Sequence, residues 1–539
     1  MGVDASGGDA PATGARGLAL VVDGTPVEVV DRGVSLLEVL REDLGLRSAK
    51  DGCSPQGQCG CCTVLVDGAP RVACVTPARR VAGRSVTTLD GLDPGVATAW
   101  ADALTATGGS QCGFCTPGIV VRLEGLRRRS AELDRGAVER ALRAHLCRCT
   151  GWRTILDAAD RMAAPPRVTA AAQATPRDLA AAGRRATLEG GGPQVVGPEV
   201  ALGRGGFAAD TAPDDALIAV PDGDGGWAVG ESLAEARLAA GKVQGRRTTA
   251  PAEPPVAVPD GAWDLTLRTS WVEPGYLEPD ASWCRPGAEP ASPLANGGAF
   301  GAKSTSEAPA VARALADRHG RPVLVLFSRE DTVRQGPKRP PLAAGARADG
   351  SGLVHVVRTP GVAERIRAAA PGFEVVEVDR PGPPTSVDLR GAGWAEAAVL
   401  LAAVTDQDGW FQSPAGGRAR ATIDAAGAVI VEVAAGDPLD EVVLASYATG
   451  AAHMALGWVT SEALAVDAGG VVQDLTVRSF GILRAVDTPP VHVEIDTSPA
   501  ETARPAVPAG EAVLAAVAAA VWRAQGHPPD WPTGRPLRT

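Results

Sequence analysis

The sequence predicts an α+β protein of several domains, and three observations carry that prediction. With 539 residues, at about 150 per domain, the chain is long enough for three or four units with real cores. Short apolar strands, helices and glycine-rich loops follow one another in blocks of different character rather than in one repeating pattern. Nine of the ten cysteines lie between Cys53 and Cys149, and only Cys284 falls in the remainder.

The first block runs from residue 16 to 92. The alternating segments Leu18–Val22 and Val27–Val30 flank Asp23-Gly24, a pair that favours a tight hairpin turn because it tolerates positive φ. Ser35-Leu-Leu-Glu38 reads as a capping box opening a helix that stops near Leu44-Gly45. A second hairpin is expected from Thr63–Val66, Asp67-Gly68 and Arg71–Val75. From 93 to 163 helices are separated by cysteine pairs, and Thr116-Pro117 and Thr150-Gly151 each look like a helix start. Residues 164–198, rich in Ala, Pro and Gly with little periodicity, read as a linker. Glu199 to Thr539 is a mixed α/β region, with its clearest helices at Ser306–Arg318 and Gly510–Ala524.

Composition excludes several classes. Against 63 acidic residues the chain has 52 basic ones, so its net charge of −11 repels phosphate and speaks against general nucleic-acid binding. The run Arg127-Arg128-Arg129 reads as a solvated helix end. No apolar h-region marks the start, and the longest apolar run, Ala512–Trp522, is too short to span a bilayer, so no membrane is expected. Gly2 and Ser6 match the permissive myristoylation pattern, in a start that reads as disordered. Clustered thiols in a chain of this size argue for metal in a reducing cytoplasm rather than a disulfide framework.

The first cysteine cluster is Cys53-Ser-Pro-Gln-Gly-Gln-Cys59-Gly-Cys61-Cys62, with eleven residues separating Cys62 from Cys74. Plant-type [2Fe–2S] sites use C-x4-C-x2-C and a distant fourth cysteine. Here the first gap is five residues and the second two. Gly52, Gly57 and Gly60 fall where backbone N–H groups would approach the sulfurs of a negative cluster. Zinc is the rival reading, although three ligands in one loop favour iron–sulfur. Cys61 reads as a spare buried thiol, with substitution for a neighbouring ligand as the alternative. The second constellation is Gln111-Cys112-Gly-Phe-Cys115-Thr-Pro-Gly with Leu146-Cys147-Arg-Cys149-Thr-Gly-Trp. Both pairs precede an expected helix, whose N-terminal N–H groups suit a negative cluster.

Over residues 16–163 these motifs resemble the two [2Fe–2S] domains of the xanthine oxidase family of molybdenum hydroxylases. The resemblance implies a β-grasp ferredoxin-type domain (16–92) holding one cluster on Cys53, Cys59, Cys62 and Cys74. It implies a four-helix domain (93–163) holding another on Cys112, Cys115, Cys147 and Cys149, with Gln111 and Cys149 also approaching the pterin of a molybdenum cofactor. Later segments resemble the family's molybdenum portion in order along the chain: Ala201–Asp210 the start of its hammerhead region (199–290), then Tyr276-Leu-Glu-Pro-Asp-Ala281. In a shortened molybdopterin-binding-like region (291–539), Asn296-Gly-Gly-Ala-Phe-Gly-Ala-Lys303 is similar to a cofactor loop, which makes Gly298, Phe300 and Gly301 cofactor contacts. Arg390-Gly-Ala-Gly393 is similar to an active-site arginine loop, and Ala509-Gly-Glu511 to the segment carrying the general base. A P-loop reading of Lys303-Ser304 fails because Ala302 stands where the glycine is needed.

The activity so implied is hydroxylation of an N-heterocycle or aldehyde, a small-molecule substrate, with Glu511 as base and Arg390 as orienting group. Electrons would pass through two clusters to an FAD-containing subunit or a soluble acceptor, in a possible homodimer. The chain also departs from the pattern. The molybdenum half is short, the Gly-Gln-Gly loop is missing, and Gly436-Asp-Pro-Leu-Asp440 runs straight into Ala451–Trp458. Pro274 stands in place of a histidine, and Pro508 in place of the first glycine of the base motif. The alternative expectation is therefore an electron-transfer or assembly protein with a vestigial molybdenum half.

Overall fold

The computed structural model describes residues 17–130, 133–163, 177–241, 250–407, 409–473, 475–497 and 504–537; Gly2 and Ser6 lie outside them. Both Asp-Gly hairpins form. Strands β1 (Gly17–Val22) and β2 (Thr25–Val30) pair antiparallel around Asp23-Gly24, and β3 (Thr63–Val66) and β4 (Ala69–Val72) do so around Asp67-Gly68. Asp23 and Asp67 take φ of 51° and 48°. Each also uses its carboxylate: Asp23 accepts from the N–H and the hydroxyl of Thr88, and Asp67 from the Ser85 N–H and Arg84. With β5 (Ser85–Thr87) the sheet runs β2-β1-β5-β3-β4. The second hairpin ends earlier than expected. Residues 73–75 leave the strand in a 3-10 turn that carries Cys74 back toward the loop before β3. At Ser35 the hydroxyl accepts from the Glu38 N–H, and the helical turn it opens widens to i→i+5 bonding before Leu44.

Four helices follow: α1 (Pro94–Thr107), α2 (Thr116–Arg127), α3 (Arg135–Ala141) and α4 (Arg153–Ala163). The segment read as a linker is corrected in part. Within 164–198 lies the helix α5 (Leu179–Gly190), capped by Asp178 and packed by Ala182 and Ala186 against Val443 and Tyr447. Its polar residues Arg185 and Glu189 are buried, so a hydrophobic period could not reveal the packed face.

The remaining sheets are mixed. One orders Trp227–Gly230, Leu217–Pro221, Val323–Leu326 and Ala281–Cys284. Another orders Phe373–Val378, Gly352–Val357, Leu342–Ala346, Leu265–Thr269 and Asp530–Trp531. Both sheets pair strands from before residue 290 with strands after it. A division into 199–290 and 291–539 therefore does not correspond to two separate units, because backbone ladders cross the boundary. A four-stranded sheet of Phe411–Gln412, Arg418–Ile423, Val429–Ala434 and Val491–Ile495 packs on the C-terminal helix. The expected helix at 306 starts at Ala308, with Pro309 in its first turn.

Three helices form the centre of this half: α6 (Trp394–Val404), α7 (Glu441–Thr460) and α8 (Gly510–Ala524). All are apolar nearly all round, the composition of a helix enclosed by protein. By length and composition α7 could cross a bilayer, which the sequence reading of apolar runs overlooked; 89% of its apolar window is buried inside the fold.

Candidate metal centre

No disulfide links the ten cysteines. The loop before β3 brings Cys53, Cys59 and Cys62 to Cys74. Gly57 and Gly60 turn this loop with φ of 68° and 77°, and a Cβ on Gly60 would overlap the His145 ring. The N–H groups of Gln58 and Cys59 each donate to Cys53 Sγ at 3.3 Å, and that of Cys74 to Cys62 Sγ at 3.4 Å. The glycines thus shape the turn while their neighbours supply the donors. Contacts from the Cys59 and Cys74 thiols, together with those N–H groups, hold the Cys53 thiol well below its ordinary value. Crowding by Cys53 pushes Cys59 and Cys74 up. Four thiols this close cannot all ionise unless a cation relieves the repulsion.

The second set is built on a helix start. Cys115 is the N-cap of α2, and the Cys147–Cys149 loop leads into α4. Cys112 and Cys149 lie with sulfurs 3.5 Å apart, and Cys115 contacts Cys147. The Cys147 thiol is lowered to about 7 by the Cys115 contact and by Thr150, whose Oγ1 is 3.1 Å away, whereas Cys115 and Cys149 are pushed up by those same sulfur neighbours. The sulfurs therefore meet in pairs. Among the described residues no three His, Cys, Asp or Glu side chains converge as they would on a single ion. Pairing suits a [2Fe–2S] rhomb, in which each iron takes two thiolates and two bridging sulfides, better than a tetrahedral zinc. The two loops are tied together: the Leu146 N–H donates to the Cys59 carbonyl at 3.0 Å, and Thr63 Oγ1 lies 3.1 Å from His145 Nε2. Cys61 is buried, touches the Cys59 thiol of the first set and lies within electrostatic range of Cys147.

Gln111 does not reach outward. Its Nε2 donates to the Cys149 carbonyl at 3.0 Å and to Ser446 Oγ of α7 at 2.9 Å. Asn296, which opens the Gly-rich loop, donates to the Gln111 and Cys112 carbonyls at 3.3 and 3.4 Å. Gly298, with φ of 84°, stands directly on the second set: a Cβ there would lie 3.2 Å from Cys112 Sγ and 3.4 Å from Cys149 Sγ. On α7, burial and the nearby Arg148 lower His453 to about 4, and its Nε2 lies 3.0 Å from the Leu483 carbonyl. A folded value below the ordinary 6.5 means that the unfolded chain takes the proton first. Stability present above pH 6.5 is then lost as pH falls toward 4, at up to about 1.4 kcal/mol per pH unit. Urea unfolding at pH 7 and pH 5 is expected to show a shallower pH dependence for His453→Gln than for the parent; equal slopes would exclude His453 as a source.

Phe300, Arg390 and Glu511 do converge, on a cleft of about 950 Å³. The Phe300 carbonyl accepts from the Arg390 N–H at 3.2 Å, and the guanidinium carbon sits 4.8 Å from the Phe300 ring centroid. Glu511, in the first turn of α8, accepts from the Gly391 N–H at 3.0 Å and from Trp394 Nε1 at 2.9 Å. Sequence reasoning missed Trp394, and it missed Glu189 of α5, which caps α8 by accepting from the N–H groups of Ala509 and Gly510. Burial lowers the Arg390 pKa while the charges of Glu189 and Glu511 hold it up, and guanidinium remains charged. Glu511→Gln sets an amide NH2 against one of two N–H donors. The expected cost is about 1–3 kcal/mol in urea unfolding; an unchanged midpoint would show that these two bonds contribute little.

The thiol sets fit iron–sulfur clusters. The path from them to Arg390 does not fit a pterin. Between the second set and the Phe300–Arg390 pair lie cavities of about 10 Å³ and about 30 Å³, where even one water needs about 10–15 Å³. Arg390 reaches Met454 Sδ of α7 at 3.4 Å across this path.

Residues 88–160 match the family model of the [2Fe-2S] binding domain. Xanthine dehydrogenase of Emericella nidulans is 41% identical over 160 residues, 27% of this chain and 11% of that protein, so the match takes in about a tenth of that relative's length. The small FeS subunit of Eubacterium barkeri nicotinate dehydrogenase is 35% identical over 125 residues, 23% of this chain and 79% of that protein. The solved aldehyde oxidoreductase of Desulfovibrio gigas has a similar fold, with a TM-score of 0.66 at 16% identity over 94% of this chain and 97% of that one. These relatives are oxidoreductases by name, the family model spans the second thiol set, and the chain belongs to the xanthine oxidase family of molybdenum hydroxylases.

Proposed function

We propose that the chain is an oxidoreductase that carries electrons through two [2Fe–2S] clusters, one on Cys53, Cys59, Cys62 and Cys74 and one on Cys112, Cys115, Cys147 and Cys149. In this reading residues 16–92 are a β-grasp ferredoxin-type unit and 93–163 a four-helix unit. The observation that carries it is the gathering of eight thiols in two sets, the second of them in pairs, joined by the Leu146–Cys59 hydrogen bond. An iron–sulfur cluster supplies one-electron acceptance at each set. The chain's own part is to hold the thiolates, aim N–H groups at Cys53 and Cys62, and exclude water, since seven of the eight sulfur-bearing residues are buried. Electrons would enter at the second set and leave from the first to an FAD-containing subunit or soluble acceptor. The matched small FeS subunit, one part of an assembly by its name, supports a separate partner. A reducing cytoplasm suits ten free thiols.

Glu511 and Arg390 offer the cleft a fixed proton acceptor and a cation that can hold an oxyanion. Hydroxylation of an N-heterocycle or aldehyde would require a molybdenum centre beside them. The path to Gln111 and Cys149 does not admit its pterin. Electron carriage is the function the geometry supports best. The purified chain is expected to hold about four irons and, after dithionite, to give two distinct S = ½ EPR signals; zinc in place of iron would overturn the reading.

A further inference from the structure

Helix α7 takes the Gln111 amide and packs on the Cys149 carbonyl, the two residues that the family resemblance directs toward a pterin, and the chain around it is stitched to keep it there. Gly450 of α7 packs on the Cys149 carbonyl so closely that a Cβ would overlap that oxygen, and Gly151 meets the Thr449 carbonyl in the same way. Ser446 takes the Gln111 amide and itself donates to the Gly108 carbonyl at 2.7 Å. Just before α7 the short connection Gly436–Asp440 is held from α5. Arg185, wholly buried, donates to the carbonyls of Ala435, Asp437 and Pro438 at 3.3, 2.6 and 3.0 Å. Arg177 grips Asp440, the N-cap of α7, through two bonds of 2.5 and 2.6 Å. At the other end of the path Arg148, between Cys147 and Cys149, forms a two-bonded pair with Glu462 at 2.5 and 2.6 Å, both side chains being buried.

From this we infer that the chain has closed its own pterin seat, with α7 taking the place of the cofactor, so that the C-terminal half serves as an insulating lid over the outer edge of the second thiol set. This goes beyond electron carriage and rests on it. A lid of this kind keeps water from the Cys149 carbonyl and leaves the 950 Å³ cleft at Glu511 out of contact with the thiols. Three polar groups along the closed path have internal partners: Gln111 has Cys149 and Ser446, Arg148 has Glu462, and Arg339 has Glu396 at 2.6 Å, whereas Trp458 Nε1 on the same path is buried without a hydrogen-bond partner. Opening the path for a ligand would strip three buried groups of their partners at once.

The test is expression in a host that loads molybdenum hydroxylases, with a relative that acquires the metal purified in parallel. Iron and molybdenum are counted per chain, and Mo(V) EPR is recorded after partial reduction. The expected result is full iron and molybdenum no higher than the blank, while the control is loaded. Stoichiometric molybdenum with a Mo(V) signal overturns the closed seat and leaves two-cluster carriage standing; absence of iron overturns the carriage itself. A second measurement uses Gly450→Ala, which pushes α7 off Cys149. It is expected to shift the g-values of one cluster signal and leave the other unchanged. If neither signal moves, α7 does not cover the thiol set; if Gly450→Ala does not fold, the metal counts on the parent chain decide alone.

Discussion

Arg185→Met is expected to lower stability by about 3–5 kcal/mol in urea unfolding, the cost of removing one member of a buried ion pair. Arg185 donates not only to Glu189 at 3.2 Å but to the carbonyls of Pro438, Asp437, Ala435 and Val507. Methionine fills the volume and satisfies none of these acceptors. The loss also reaches Glu189, left buried without its hydrogen-bonded cation and with only the charge of Arg390 nearby while it caps the helix that carries Glu511. A change below about 1 kcal/mol would indicate that the α5 segment docks by its alanines alone. Glu189→Gln separates the parts: it keeps a hydrogen-bonding side chain of the same shape, so the smaller loss expected there measures the pair without the stitched loop.

The second large effect concerns iron. Cys149→Ser removes a thiolate from the pair with Cys112. Iron per chain is expected to fall from about four to about two, with one of two EPR signals lost and the other kept, since each [2Fe–2S] cluster uses four thiolates. The first set should persist because its donors Gln58, Cys59 and Cys74 lie outside the Cys147–Cys149 loop. Unchanged iron would mean that Cys149 is not a ligand; complete loss of iron would mean that the two sets are not independent. Cys61→Ala serves as the contrasting variant and is expected to retain both signals.

What was legible in the sequence was whatever is decided locally. Asp23-Gly24 and Asp67-Gly68 need positive φ wherever they sit, so both hairpins could be read directly. The spacing of Cys112, Cys115, Cys147 and Cys149 and the start of α2 at Thr116 are likewise short-range facts. The convergence of Phe300, Arg390 and Glu511 was legible only through the order of family-like segments along the chain. What escaped was decided by distant contacts. Leu179–Gly190 is rich in alanine and buries an arginine and a glutamate, so no apolar stripe marked it as packed. Trp394 acts on Glu511 from 117 residues away, and Glu189 on Gly510 from 321. The closure over Gln111 and Cys149 depends on Gly450, a glycine inside a helix whose role appears only once the Cys149 loop lies against it.

The hydrogen bond from Leu146 to the Cys59 carbonyl has a consequence for rate. Electron tunnelling falls off exponentially with separation, so a carrier built from two loosely joined domains would have its fastest transfers set by rare close approaches. Here one backbone bond, backed by the His145 ring wedged against Gly60, fixes the gap between the two thiol loops. With a cluster on each set, as proposed, transfer between them should depend on driving force and not on solvent viscosity, as in a wire rather than a shuttle.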